Sequence, residues 1–157
     1  MERITAYLFK TGGDENPSSL RANEGIAFHG SVVLGPGFVF DDKDSSGQSN
    51  PMDLMRSLLS QDSYNSECIY PYLGGKEVNT SPAQSHDRYI INFGLMSEAE
   101  SRRWPSLIAL VEKRVRPYRE NDKRESRRRH WWRFGEPTPS LYEYDQRNAA
   151  GSRNRSN

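Results

Sequence analysis

The sequence predicts an α+β domain, with a small, mostly antiparallel sheet and two or three helices packed beside it. Short runs rich in β-branched and aromatic residues, bounded by Gly, Pro and Asn, are typical of strands joined by turns. Two longer stretches repeat their apolar residues at helical spacing and begin with helix-start signals. The 157 residues leave room for one domain with its own core.

The predicted strands come from three regions of the chain. Residues 4–9 read as a short strand, followed by a loop at 11–17. Residues 31–34 and 38–40 are predicted to be two strands around the tight turn Gly35-Pro36-Gly37, where glycine permits a positive φ. After a polar loop at 41–48, residues 88–93 (Arg-Tyr-Ile-Ile-Asn-Phe) predict a further strand.

The first predicted helix begins at the segment 50–53, Asn-Pro-Met-Asp. Asn50 is the predicted N-cap, Pro51 suits the first turn, and Asp53 lies near the positive end of the helix. The leucines that follow supply an apolar face: Leu54, Leu58 and Leu59. A turn is then expected at Gly74-Gly75.

The second predicted helix follows Pro105 and is preceded by a capping box over 97–100, Ser-Glu-Ala-Glu. Its apolar residues recur at helical spacing: Leu107, Ile108, Leu110, Val111 and Val115. We expect Pro117 to end or kink this helix. Residues 119–130 have helical composition but almost no apolar face, and from residue 145 onward the polar composition predicts a disordered tail over 145–157.

The composition narrows the class of protein. Only 34% of the residues are hydrophobic and the mean hydropathy is −0.91, so part of the chain is expected to be disordered or to meet a partner. No apolar run is long enough to span a membrane, and the first residues lack the apolar segment of a signal peptide. The single cysteine, Cys68, suits a reducing compartment, which predicts a cytoplasmic protein.

The most informative stretch is 112–134. It holds ten Lys/Arg and four Asp/Glu, although the net charge of the whole chain is only +1. Aromatic residues are interleaved with these cations, and guanidinium groups bind phosphates bidentately while aromatic faces stack on bases. We therefore expect a nucleic acid as partner. The alternative is a solvated amphipathic helix with local ion pairs, in which Trp131 and Trp132 pack onto the core.

Catalytic and metal-binding patterns are weak. His86-Asp87 is an acid–base pair only in sequence, and no nucleophile motif supports it. Glu77 lacks the second carboxylate strand of a nuclease site. The three histidines have no Cys or His at ligand spacing, so we predict neither a catalytic residue nor a metal site.

The order of several motifs resembles the target-recognition region of large type II adenine-specific DNA methyltransferases. These include the single-chain restriction–modification fusions (type IIL) and related phage-defence methyltransferases. The motifs extend from residue 4 to residue 142, and an ordered run is more specific than any one of them. They are Phe28-x-Gly30-Ser31-x-Val33-Leu34-Gly35-x-Gly37-Phe38; Tyr70-Pro71-Tyr72-Leu73-x-Gly75-x-Glu77-Val78-Asn79; Ser81-Pro82-x-Gln84-Ser85-x-x-Arg88-Tyr89-x-Ile91-Asn92-Phe93; and Val115-x-Pro117-x-Arg119 with Lys123-Arg124, Arg127-Arg128, Trp131-Trp132-x-Phe134 and Leu141-Tyr142.

The resemblance implies that residues 1–144 form part of a DNA target-recognition domain that holds duplex DNA. The intact enzyme would use S-adenosylmethionine to methylate adenine N6, an activity of a separate catalytic domain, so the chain itself is expected to bind no cofactor. Backbone phosphate contacts are predicted at six cations: Arg119, Lys123, Arg124, Arg127, Arg128 and Arg129. Further DNA contacts are predicted at Gln84, Arg88 and Asn92, with strand and turn hydrogen bonding as their alternative.

Three other interpretations stay open from the sequence. The chain can be an interaction fragment that docks on a separate methyltransferase subunit through its aromatic residues, or an inactive truncated relic. An independent enzyme is the third, and a catalytic constellation that would support it is missing from the sequence. Salt dependence separates DNA binding from docking, because phosphate contacts weaken steeply with salt.

Overall fold

The structure is a computed structural model that describes residues 30–80, 82–83 and 85–144. Its three strands are β1 (Val39–Phe40), β2 (Ile69–Tyr72) and β3 (Arg88–Ile91), which form an antiparallel sheet in the order β1-β3-β2. Helices pack beside this sheet, which confirms the α+β fold class. The predicted strand at 4–9, the loop at 11–17 and the tail at 145–157 lie outside the described residues.

The central strand β3 sets the register of the sheet. Ile90 lies opposite Val39 of β1 and Tyr70 of β2, and Ile91 lies opposite Ile69. Ile90, Ile91 and Ile69 are buried, so both isoleucines of the central strand enter the core. The strand predicted from its β-branched residues is therefore the central strand of the sheet. Its composition suits that position, because it contains no proline and can hydrogen-bond on both sides.

Helices lie between the strands and also follow the last one. Among the described residues they are α1 (Met52–Gln61), a 3-10 helix (Ser63–Cys68), α2 (Gly75–Thr80), α3 (Glu98–Ser101), α4 (Pro105–Glu120), α5 (Glu125–Arg129) and a last helical segment, α6, at 139–144. The longest are α1 and α4, each of which buries one apolar face.

The predicted hairpin around Gly35-Pro36-Gly37 is wrong, although the turn itself is present. Gly35 and Gly37 have φ values of 96° and 100°, as the turn chemistry predicted. Val32, however, pairs with Glu136 instead of with the strand after the turn, through N–H···O bonds of 3.0 and 3.2 Å. After the turn, residues 39–40 pair with β3, and this pairing buries Phe38 and Phe40 completely.

Asn50 is not the N-cap of α1. It is buried, its Nδ2 donates to the carbonyl oxygen of Gly37 at 2.7 Å, and its Oδ1 accepts from Arg114 at 2.7 Å. The N–H of Met52, at the first turn, instead donates to Asp42 Oδ1 at 2.8 Å. A carboxylate from the preceding loop therefore satisfies the helix end that local sequence assigned to Asn50.

Helix α4 begins and packs as predicted, after a complete capping box between Ser97 and Glu100 in α3. Pro117 does not end α4, which continues to Glu120. A proline one turn before a helix end removes a single intrahelical N–H bond, and the buried Arg119 anchors the turn that follows. The buried face of α4 is formed by Leu107, Ile108, Val111, Val115 and Arg119.

The Trp pair lies in the core, which confirms the packing alternative for these residues. Trp131 and Trp132 are each 6% exposed and meet edge to face with ring centroids 5.8 Å apart. The indole Nε1 of Trp132 donates to the carbonyl oxygen of Met96 at 2.9 Å. The two buried indoles thus anchor the chain directly after α5 to the core. The cationic residues before and after them are held in place by this anchor.

Candidate nucleic-acid interface

The cationic segment leaves the core at the end of α4. The N–H of Asp122 donates to the carbonyl oxygen of Arg119 at 3.0 Å, and Asp122 Oδ1 accepts the N–H of Arg124 at 2.9 Å. This Asx-type turn reverses the chain and starts α5, a local role that aspartate side chains fill well. The cations that follow are carried on one short helix and on the loop before it.

Arg119 is not a surface cation, which corrects its predicted phosphate contact. It is 0% exposed, and its Nη2 donates to the carbonyl oxygens of Leu34 at 2.6 Å and Arg133 at 3.4 Å. Its Nε and Nη1 have no hydrogen-bond partner among the described residues. Burial lowers the pKa of Arg119. A phosphate on the surface cannot reach this group, whose role is to tie residue 34 to residue 133.

Arg127 is also held inside the fold, in contrast to its predicted role as an open phosphate contact. Its Nη2 lies 2.5 Å from Glu136 Oε1, and its Nη1 lies 3.4 Å from Asp122 Oδ2. The side chain is 15% exposed. Arg124 binds the same Glu136 oxygen. The hydrogen bond from Arg127, with the charge of Arg124, holds the pKa of Glu136 below its usual range. Both arginines are thus largely neutralised by carboxylates.

Three of the predicted phosphate contacts remain exposed without an ion pair among the described residues: Lys123, Arg128 and Arg129, which together form the α5 patch. Arg128 Nη1 donates to the backbone oxygen of Asp122, which fixes the guanidinium without pairing it with a carboxylate. Two acids lie close in sequence: Asp122, which is engaged with Arg124 and Arg127, and the exposed Glu125. The structure therefore halves the set of six cations that sequence assigned to phosphate.

Other arginines of the basic stretch bind backbone oxygens. Arg114 donates to the carbonyl oxygens of Gly47 and Ser49, and so holds the loop before α1. Arg133 donates to the carbonyl oxygens of Leu95 and Met96 at 2.7 and 2.9 Å. Sequence reasoning missed these bracing roles, because their partners lie far away along the chain and leave no local signal.

The remaining predicted DNA contacts divide in the same way. Arg88 pairs with Glu77 at 2.5 Å and lies over the Tyr72 ring at 4.7 Å, which favours the strand-bonding alternative. Asn92 Oδ1 accepts from the N–H of Gly94 at 2.8 Å and from the Tyr142 hydroxyl at 3.2 Å, which is turn bonding. Gln84 lies outside the described residues.

Catalytic geometry does not form around His86 and Asp87. His86 Nε2 lies 3.3 Å from the Tyr89 hydroxyl, whereas Asp87 pairs with Lys43 at 2.6 Å. In the part of the chain that the structure describes, no group of three or more His, Cys, Asp or Glu residues is placed to hold a metal ion. Among those same residues, no helix has the length and apolar character needed to cross a membrane.

Two concave features lie near the predicted sites. The larger is a cleft of about 490 Å³ beside β1, whose lining includes two cations: Lys43, which pairs with Asp87, and Arg88, which pairs with Glu77. Because its cations are matched by acids, the cleft does not favour a polyanion. The smaller feature, the Arg127 pocket, measures about 100 Å³ and is lined by Ser126, Arg127, His130, Arg133, Phe134, Gly135 and Pro137.

Comparison of the chain with protein-family models, with curated proteins and with solved structures finds no significant match. The likeness to methyltransferase target-recognition regions accordingly stays a prediction from the motifs.

Proposed function

We propose that this protein binds double-stranded DNA through its backbone phosphates, as a recognition module or fragment of the kind found in adenine-specific DNA methyltransferases. The observation that carries the proposal is the α5 patch, in which Lys123, Arg128 and Arg129 keep exposed charges without carboxylate partners among the described residues. Cations of this kind gain most from a polyanion, because binding releases the counterions condensed on DNA.

The patch is held in place at both ends, as a positioning contact requires. The loop and short helix that carry it are fixed by Asp122 at the start and by the buried Trp131 and Trp132 at the end. A fixed array of cations holds a duplex in one orientation without reading its sequence. S-adenosylmethionine would belong to a catalytic domain or subunit, and this proposal assigns none of its chemistry to the residues described here.

A docking function through the Trp pair is not favoured. Both indoles are buried in the core, so they are not available to a methyltransferase subunit. The bracing of Arg114 and Arg119 on backbone oxygens likewise removes them from an acidic partner surface.

The test compares two triple variants that remove the same charge. Lys123→Gln, Arg128→Gln and Arg129→Gln together should weaken binding of a random duplex by at least about tenfold at low salt, since three phosphate contacts are lost. The control removes three exposed cations on other elements: Arg56→Gln, Arg103→Gln and Lys113→Gln. Equal affinity for DNA in the α5-patch variant and the wild type, with both folded by circular dichroism, would overturn the proposal.

A further inference from the structure

We propose that the Arg127 pocket binds one backbone phosphate of the bound duplex. This inference rests on the proposed DNA binding. A phosphate held there would fix the position of the duplex along the protein. The pocket measures about 100 Å³. That is the space of about three water molecules, which suits a phosphate group and is too small for a nucleobase and its sugar. It opens beside α5, the helix that carries Arg128 and Arg129.

The lining of the pocket is rich in donors. It contains the guanidinium-bearing Arg127 and Arg133, the imidazole of His130 and the hydroxyl of Ser126, and no carboxylate. A pocket lined by several donors and by no carboxylate favours an oxyanion over a cation.

Arg127 supplies a donor that is already in place. Its Nε is buried and has no hydrogen-bond partner among the described residues, while its Nη atoms are held by Glu136 and Asp122. The two carboxylates thus fix the guanidinium plane and leave Nε unused. Buried polar atoms are almost always hydrogen-bonded, so an unused donor on a side chain that lines a pocket indicates an acceptor that arrives with a ligand.

Arg133 and His130 form a second side of the pocket, and their positions are fixed by neighbouring groups. Arg133 donates its Nε and Nη2 to the carbonyl oxygens of Met96 and Leu95, has no ion pair among the described residues, and has Glu100 as a nearby acidic charge. The His130 Nδ1 lies 3.0 Å from the Ser126 carbonyl oxygen, which fixes the ring. His130 and Arg133 both lie against the Trp132 ring, at 5.6 and 5.5 Å between their centres. The buried indole therefore holds this side of the pocket rigid.

The phosphate site is tested by titrating the protein with inorganic phosphate and following the imidazole resonances of His130 and His86 by NMR. We expect a saturable shift at His130 and none at His86, whose ring lies against Tyr89. The Ser126→Asp variant places a carboxylate at the pocket and should abolish that shift. It should also weaken binding of a short random duplex by about tenfold, since like charges repel at close range. The control, Ser57→Asp on α1, makes the same change of charge on an exposed helical serine.

The outcomes separate this inference from the proposed function. If DNA binds and the α5-patch variant weakens it, but phosphate leaves His130 unmoved and Ser126→Asp affects DNA no more than Ser57→Asp, the phosphate site is wrong and the function stands. If wild-type protein does not bind DNA although phosphate shifts His130 saturably, the pocket is an anion site and its assignment to DNA is wrong. Retained thermal unfolding midpoints in both Asp variants exclude loss of the fold as the cause.

Discussion

The salt dependence of DNA binding distinguishes the structure-based set of phosphate contacts from the sequence-based one. Six cations were predicted from sequence, which corresponds to a slope of log K against log salt of about −5.4, at about −0.9 for each phosphate neutralised. The structure leaves three of them exposed without ion pairs among the described residues: Lys123, Arg128 and Arg129. Three contacts give a slope of about −2.7, and the Arg127 pocket would extend it to about −3.6.

The assay is fluorescence anisotropy of a labelled random duplex, measured at several salt concentrations. Between about 50 and 200 mM salt, a slope of −2.7 lowers the affinity about 40-fold, whereas a slope of −5.4 lowers it about 2,000-fold. The two slopes are therefore easily told apart. The single substitution Arg129→Gln should reduce the slope by about 0.9. Arg116→Gln is the matched control, because Arg116 is exposed but pairs with Glu112 at 2.6 Å.

Two results would refute this reasoning. A slope near −5 would mean that Arg119 and Arg124 also reach phosphates, despite the burial of the first and the ion pair of the second. A slope near zero would mean that binding, if any, does not involve phosphates. An equal reduction of the slope by Arg116→Gln and Arg129→Gln would show that net charge acts and that the α5 patch has no particular role.

Three further predictions concern the fold. Gly37→Ala should destabilise the protein by at least about 1–2 kcal/mol in urea unfolding, since Gly37 has a φ of 100° and a Cβ there would lie 2.5 Å from Arg114 Cβ; the control Gly75→Ala, where nothing lies within 4 Å, should cost little. Leu107→Ala, in the buried face of α4, should cost about 2–5 kcal/mol, and a loss as large in Leu95→Ala, at an exposed site, would contradict the burial pattern. The hydrogen bond from Arg88 lowers the pKa of Glu77 to about 2, so this carboxylate stabilises the fold above its ordinary pKa near 4.5, and the contribution is lost as the pH falls from there to about 2. Urea titrations across that pH range should show a smaller pH dependence for Glu77→Gln than for the wild type.

Elements with local signals were predicted correctly. The capping box needs only Ser97 and Glu100, and the buried face of α4 follows from the spacing of its own apolar residues. Both signals lie within a single element, so the sequence contains everything that specifies them. The central strand β3 was also predicted from its own residues, because Ile90 and Ile91 are β-branched and both are buried.

Elements that depend on distant partners were predicted wrongly. Asn50 has every local property of an N-cap, yet Gly37 and Arg114 compete for its side chain and leave the helix end to Asp42. The hairpin failed for the same reason, since Val32 finds its backbone partner at Glu136. The competing residues are brought close only by the folded chain, and a single sequence carries no sign of them.

Several arginines of the basic segment hold the fold together by binding backbone oxygens. This explains how a chain with 34% hydrophobic residues builds a core beneath that segment. A guanidinium presents several donors in one plane, so a single side chain can hold carbonyl oxygens of two separate segments, which an ammonium does less well. Arg119 does this for residues 34 and 133, whereas Arg114 and Arg133 each hold several oxygens of one segment, residues 47–50 and residues 95–96 respectively. The number of cations in a basic stretch of sequence is therefore an upper limit on the number that can bind phosphates. Only the cations left without partners inside the protein are available to DNA, and in the basic stretch of this protein most of them lie on α5 and the loop before it.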